Sequence, residues 1–212
     1  VNILEFDNRL EAILVRWDNV EASIKSAELF QGKVTVPAIN ELRYAGRQII
    51  RAISQSRNLA DRDVYDKALY NAEQCLTNAD HDIADSLVMF IGRRIDDLNA
   101  RFGGLSIERA YPPYRELRSA IRECQKKIEQ ARKDSEKRHE LYESLKKNYL
   151  PRLMAGYKDL FDAELFMAVE VEKYKSEITK QKLTIYTLAG ALLLASVLAL
   201  TLVAYIFYIK FQ

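Results

Sequence analysis

The stretch LTIYTLAGALLLASVLALTLVAYIFYI, residues 183–209, holds no Asp, Glu, Lys, Arg or His in 27 positions. About 20 helical residues cross the ~30 Å hydrocarbon core of a bilayer, so the run reads as a transmembrane helix. Tyr186 and Tyr205 stand 19 residues apart, roughly 28 Å at the helical rise. They suit the two headgroup interfaces, with Tyr208, Lys210 and Phe211 just beyond. Lys173, Lys175, Lys180 and Lys182 precede the span and only Lys210 lies after it. That bias places residues 1–182 in the cytoplasm and a short tail, 210–212, outside.

Inside the span, Thr187, Ala191, Ala195 and Ala199 recur every fourth residue, with Gly190 beside them. Small residues at this spacing let helix backbones approach in lipid, where packing drives association. The ridge predicts a homo-oligomer. The absence of ionisable residues argues against proton-relay chemistry within the span.

Outward from the span the composition changes. The chain has 212 residues, 29% charged, with seven Gly and four Pro. Such a make-up excludes collagenous, disordered and turn-dense all-β chains. The net charge of +2 comes from 32 basic and 30 acidic residues. Its distribution is uneven: residues 61–100 carry 4 basic and 9 acidic groups, and residues 101–182 carry 19 and 14. An acidic middle before a basic stalk suggests internal pairing or an anionic partner. Cys75 and Cys124 are too few for a disulfide framework and read as core residues in a reducing compartment. Residues 1–30 are amphipathic with both charge signs, unlike a secretory leader.

The expected fold is all-α: an antiparallel helical bundle over 1–113, a charged helical arm over 114–182, and the span over 183–209. Ile3, Phe6, Leu10, Ile13, Leu14, Trp17, Val20, Ile24 and Ala27 give the first helix a single stripe. Pro37 opens the second helix, where a missing N–H is harmless; its core face is read as Ile39, Leu42, Ala45, Ile49, Ile50 and Ile53. Polar residues 54–58 close it. A third helix is predicted from about 61 to 102, with a kink or break at Thr77-Asn78 and a stop at Gly103-Gly104. Residues 105–113 read as a loop. The sparse apolar pattern from Tyr114 to about Lys147 predicts one solvated, coiled-coil-like helix. Pro151 kinks or interrupts the chain after that helix. Leu153, Met154, Leu160, Phe161, Leu165, Phe166, Val169 and Val171 predict a last helix running into the span.

There is no phosphate-cradling Gly-rich loop and no dinucleotide fingerprint. No catalytic set, metal or cofactor is expected, and the chain reads as a non-enzyme. His81 lies among Asp80, Asp82 and Asp85 and shares a helix face with Asp85; an exposed acidic turn is the simpler reading. Two basic rows are better candidates. Arg43, Arg47 and Arg51 form one; Arg118, Arg122 and Lys126, with Arg115 beside them, form the other. Cations at this spacing can hold successive phosphates, and Tyr44, Tyr111 or Tyr114 could stack a base. The alternative for both rows is pairing with acidic neighbours.

The runs ELRYAGRQIIRAI (residues 41–53) and DKALYNAEQCLTNADHDIADSLVMFIGRRI (residues 66–95) resemble the helical core of HEPN-like domains. The resemblance covers about residues 38–100. It implies a helical sensor or scaffold, since no Arg-x4–6-His pattern of HEPN ribonucleases falls within it; Arg132 and His139 match that pattern elsewhere. A helical sensor joined to one membrane helix resembles the inner-membrane effectors of bacterial CBASS-, Hailong- and CRISPR-associated anti-phage systems. That implies a nucleotide or oligonucleotide signal, a nucleotidyltransferase partner, and a membrane pore formed or gated by the oligomer. A membrane-anchored ribonuclease and a ligand-free coiled-coil adaptor are the alternatives.

Replacing Ala195 by Leu keeps the span apolar but bulks the ridge. Oligomer size in detergent, measured by light scattering, is expected to fall while membrane insertion persists. Unchanged size would leave the ridge facing lipid.

Overall fold

Over residues 3–55 and 62–210 the apolar periodicities become helices. The computed structural model describes residues 3–55 and 62–210. Among them the elements are α1 (Ile3–Gln31), α2 (Val36–Gln55), α3 (Arg62–Phe102), α4 (Gly104–Ala110), α5 (Tyr114–Lys133), α6 (Arg138–Ser144), a π-helical segment (Leu145–Tyr149), α7 (Leu150–Asp162) and α8 (Glu164–Lys210). No strand occurs among the described residues. The side chains of Ile3, Phe6, Lys175, Ala199, Tyr205, Tyr208 and Lys210 lie outside the described set. So do residues 56–58 and Phe211.

α3, 41 residues long, is the spine. Its first half packs against α1 and α2, its second against α5 and α7. The α2–α3 seam is narrow because Ala38, Ala45 and Ala52, spaced by sevens, are fully buried. They face a stripe of α3 that includes Ala68, Leu69, Ala72, Leu76 and Ala79. α1 also comes close to α2: a Cβ on Gly46 would lie 2.9 Å from Trp17 Cη2. A single hydrophobic cluster runs from Ile13 in α1 through α3, α5 and α7 to Met167 in α8.

Several expectations change. Thr77-Asn78 does not break α3. The Thr77 hydroxyl donates to the Glu73 carbonyl at 2.9 Å and accepts from Arg16 at 2.7 Å, so both its roles are filled inside the helix packing. Residues 105–113 are not all loop; α4 occupies Gly104–Ala110, after Gly103 turns the chain at φ 75°. A positive φ costs glycine little. Ile50, 69% exposed, and Ile53 lie outside the core. Ala45 and Ile49 of the expected face are buried and Ile39 and Leu42 pack against the core, so only the Ile50–Ile53 edge of that face is turned outward.

The helix expected from Tyr114 to about Lys147 is two helices. The Asp134 carboxylate accepts the Glu136 and Lys137 backbone N–H groups, each at 3.1 Å. Arg138 Nε donates back to the Ala131 carbonyl at 3.0 Å. The chain therefore reverses, and α6, the π segment and α7 return along α5. The segment is packed rather than a solvated arm: Leu117, Ile121, Cys124 and Ile128 are buried. Gly156 lets α7 approach α5, since a Cβ there would meet Leu117 Cδ1 at 3.1 Å.

α7 ends at Asp162, and the rod starts at Glu164. α8 is 47 residues, about 70 Å at the helical rise. Its base is docked: Met167 is fully buried, Glu164 pairs with Arg101 at 2.6 Å, and the Arg109 guanidinium lies 5.6 Å from the Tyr174 ring centroid. Phe161, Leu165, Phe166 and Val169 are exposed, and the helix expected to run from Leu153 into the span is instead two, meeting at Ala163. α8 is long and apolar enough to cross a membrane, and its described apolar side chains as far as Leu198 are unburied.

Leucine in place of Ala45 would force the α2–α3 seam apart. Overpacking of this kind costs about 1–3 kcal/mol. Thermal unfolding followed by circular dichroism in detergent is expected to shift down by several degrees; an unchanged midpoint would mean the seam is loose.

Candidate functional site

The arginine row of α2 lies opposite its alanine seam. Arg43, Arg47 and Arg51 are all exposed, and none makes an ion pair among the described residues. Arg43 Nη1 donates to its neighbour Asn40 at 3.2 Å. The Arg47 guanidinium lies 6.0 Å from the centroid of the exposed Tyr44 ring. The row presents three cations and one aromatic ring to solvent.

The second row is less uniform. Arg115 makes a two-pronged contact with Glu108, at 2.8 and 2.9 Å. That contact holds the Glu108 carboxyl below the usual carboxylate range. Arg118 packs over the Tyr114 ring at 5.7 Å. Arg122 and Lys126 are exposed. Tyr114 is only 1% exposed and cannot stack a base; its ring is core. α2 and α5 pack on different halves of α3, so the rows form two surfaces rather than one.

The acidic turn of α3 is more elaborate than an exposed loop of charge. The Asp85 carboxylate accepts from Arg132 Nη2 at 2.7 Å and from the Tyr142 hydroxyl at 2.8 Å. The Tyr142 ring stacks on His81, centroids 3.9 Å apart and planes 12° from parallel. Asp80 receives Lys146 at 3.1 Å and Arg16 at 3.9 Å. Helices α1, α3, α5 and α6 and the π segment thus converge here. Arg132 is anchored on Asp85, while His139 faces the cleft beside Asp80, Glu143 and Lys146.

Burial sets the protonation of this cluster. It pushes His81 down to about 4, helped by His139 and Arg138 and opposed by Asp80 and Asp85. It pushes Asp82 up to about 6, helped by Glu41 and Asp85 and opposed by Arg132. Burial, then the bond to Asp85, raises the Tyr142 hydroxyl above the ordinary phenol value. Both thiols, Cys75 and Cys124, are raised to about 11 by burial, which makes them poor nucleophiles. Among the described residues no group of three His, Cys, Asp or Glu is placed to hold a metal ion.

Tyr142, Arg16 and Lys146 do not stand out in the sequence. They lie 57, 64 and 66 residues from the α3 groups they contact. No local spacing links them. Of the membrane ridge, Thr187, Gly190, Ala191 and Ala195 are exposed on α8; the side chain of Ala199 is outside the described set. Thr187 spends its hydroxyl on the Thr184 carbonyl at 2.8 Å.

His81 and Asp82 oppose each other in pH dependence. The lowered His81 value contributes stability present above about 6.5 and lost as pH falls toward about 4. The raised Asp82 value contributes stability present below about 3.8 and lost as pH rises toward about 6. Between pH 4 and 6 the slopes offset. His81→Phe keeps the stack and removes one of them. Urea midpoints measured across pH 4–6 are expected to be flat in the native chain and to fall with rising pH in the variant; parallel curves would refute this assignment.

No protein-family model, curated protein or solved structure matches the chain. The chemistry of these residues therefore carries the functional reading.

Proposed function

We propose that this chain is a single-pass inner-membrane effector of the anti-phage type, whose cytoplasmic helical domain binds a nucleotide or oligonucleotide and whose membrane helices assemble into, or gate, a pore. The observation that carries the reading is α8. One unbroken helix is docked at Met167 and Glu164 and then extends as an apolar rod on which no other described residue packs. Leu192 and Leu198 are 70% and 67% exposed. Burial of such side chains is worth about 1.5–3 kcal/mol each, so a bilayer or a second helix must cover them. A rod continuous with the folded domain transmits displacement of its base to the bilayer without a flexible joint.

The ligand half rests on Arg43, Arg47 and Arg51. Cations at i, i+4 repel by a few tenths of a kcal/mol per pair. Acidic neighbours would offset that, and these three pair with none among the described residues. Successive phosphates supply the missing anions. Arg118, Arg122 and Lys126 are the second candidate surface; Arg115 is the weakest member because Glu108 already holds it. A nucleotidyltransferase is the partner class this reading implies.

Arg47→Glu in the full chain is expected to abolish retention on an oligonucleotide column at low salt with no change in melting temperature. Binding by the native chain is expected to weaken steeply with added salt. Absence of salt-sensitive binding in the native chain would reduce the proposal to a membrane-anchored scaffold.

A further inference from the structure

The first turns of α8 have two sides. On one, Met167 is fully buried, Glu164 pairs with Arg101 at 2.6 Å, and the Tyr174 ring lies 5.6 Å from the Arg109 guanidinium, so this side is docked on α3 and α4. Leu165 and Val169 stand two residues before and two after Met167, and two helical residues turn the chain by about 200°. They therefore face away from the docked side, with Phe166 beside them. Leu165 is 75% exposed, Phe166 69% and Val169 60%. Contiguous exposed apolar side chains mark interaction surfaces. The bilayer does not cover these three. Val169 precedes Leu183 by 14 residues, about 21 Å along the helix. Seven charged residues, from Glu170 to Lys182, lie between them, and so charged a stretch stays out of hydrocarbon.

The same side continues along the rod. Eighteen helical residues make about five whole turns. Leu165 is therefore in line with Leu183, Val169 with Thr187, and Lys173 with Ala191. The open face at the base and the small-residue ridge of the span are one stripe of one helix. Between them the stripe holds Ser176 and Lys180, both exposed, and the Ser176 hydroxyl is spent on the Lys173 carbonyl at 2.8 Å. Glu172 and Lys173 lie on the two flanks of the stripe, about 100° apart. Both are exposed, and neither makes an ion pair among the described residues. When two parallel helices pair about a two-fold axis, the left flank of each meets the right flank of the other at the same height. Glu172 of one copy then meets Lys173 of the other, and the pair forms twice. Flanking charges of this kind set partner and orientation in paired helices.

We infer that a second copy of this chain covers this surface: two α8 helices run parallel and touch outside the membrane, from Leu165 through Ser176, before they enter it. The contact is isologous, each copy offering the same stripe. Because α8 is docked through its opposite side, the two helical domains stand outermost and do not obstruct the approach. The parallel arrangement rests on the membrane reading above, since a span inserted in one sense aligns the copies. The surface itself rests on the docked base of α8 and needs neither a ligand nor a pore.

Cysteine crosslinking supplies the test. The full chain carrying Ser176→Cys, reconstituted in phosphatidylcholine vesicles, is oxidised with copper phenanthroline and separated under denaturing, non-reducing conditions. The native chain, with its free Cys75 and Cys124, is the blank. A two-copy band is expected from Ser176→Cys and not from Gln181→Cys, an exposed position about 140° further around the helix. Leu165→Lys with Phe166→Lys, added to Ser176→Cys, should reduce the band several-fold while the circular dichroism spectrum stays the same, because both side chains are exposed. Glu172→Lys alone and Lys173→Glu alone should each weaken the band, and the two together should restore it, because exchanging the flanks keeps the pair. No band above the blank, equal bands at 176 and 181, a band indifferent to the two lysines, or no restoration in the exchanged pair would overturn the interface. Flotation of the same vesicles separates the two readings. A chain that floats without the band loses this interface alone; a chain that does not float loses the membrane reading and the parallel arrangement with it.

Discussion

A helix of 41 residues can bury apolar side chains along its whole length only if its neighbours come close without clashing. α3 meets that constraint with small residues. Ala38, Ala45 and Ala52 of α2 present their methyl groups to a stripe of α3 that itself includes Ala68, Ala72 and Ala79. Close approach of two backbones replaces bulky interdigitation with a long run of short contacts, each weak and together large. The same approach decides what the outer face of α2 carries. With alanines inside, the arginines, Tyr44 and Ile50 are left outside, and the face toward solvent becomes both cationic and partly apolar.

The charged edges of α3 then fix the remaining helices. Glu73 holds Arg9, Asp80 holds Arg16 and Lys146, Asp85 holds Arg132, and Arg101 holds Glu164. The acidic excess of residues 61–100 and the basic excess of residues 101–182 are thus partly one interaction, made across the bundle. Most of these pairs are partly exposed, so each contributes little alone, about 0–1 kcal/mol. Their effect is on register: they set which turn of α1, α5, the π segment and α8 lies beside which turn of α3. A cleft between α1 and α7 over the middle of α3 is a consequence: α1 and the π segment are drawn to the same Asp80, and small side chains beside it leave room.

α8 combines a docked base and an apolar extension in one helix. Its first turns are held by Met167 and the Arg101–Glu164 pair, and its later turns carry leucine on every side. A helix apolar all round needs an apolar environment all round. Because α7 leads into α8 through a single residue, Ala163, the position of α7 and that of the rod are closely linked.

The sequence by itself determined the helical class, the apolar run of 183–209 and a helix beginning at Tyr114, because periodicity and charge exclusion are local properties of a chain. It also marked the arginine row of α2, since i, i+4, i+8 spacing fixes a face before any packing is known. Tertiary structure decided how far the apolar face of α2 turns inward. Ile49 goes in with Ala38, Ala45 and Ala52, while Ile50 and Ile53 are left exposed because the alanines permit the approach of α3. Tertiary structure also decided the reversal at Asp134, where a side-chain carboxylate capturing two backbone N–H groups and Arg138 reaching back to Ala131 stop a helix that the apolar spacing would have continued. The environments of Asp80, His81 and Asp85 were illegible for the same reason: their partners Arg16, Arg132, Tyr142 and Lys146 are near in space through folding and distant along the chain.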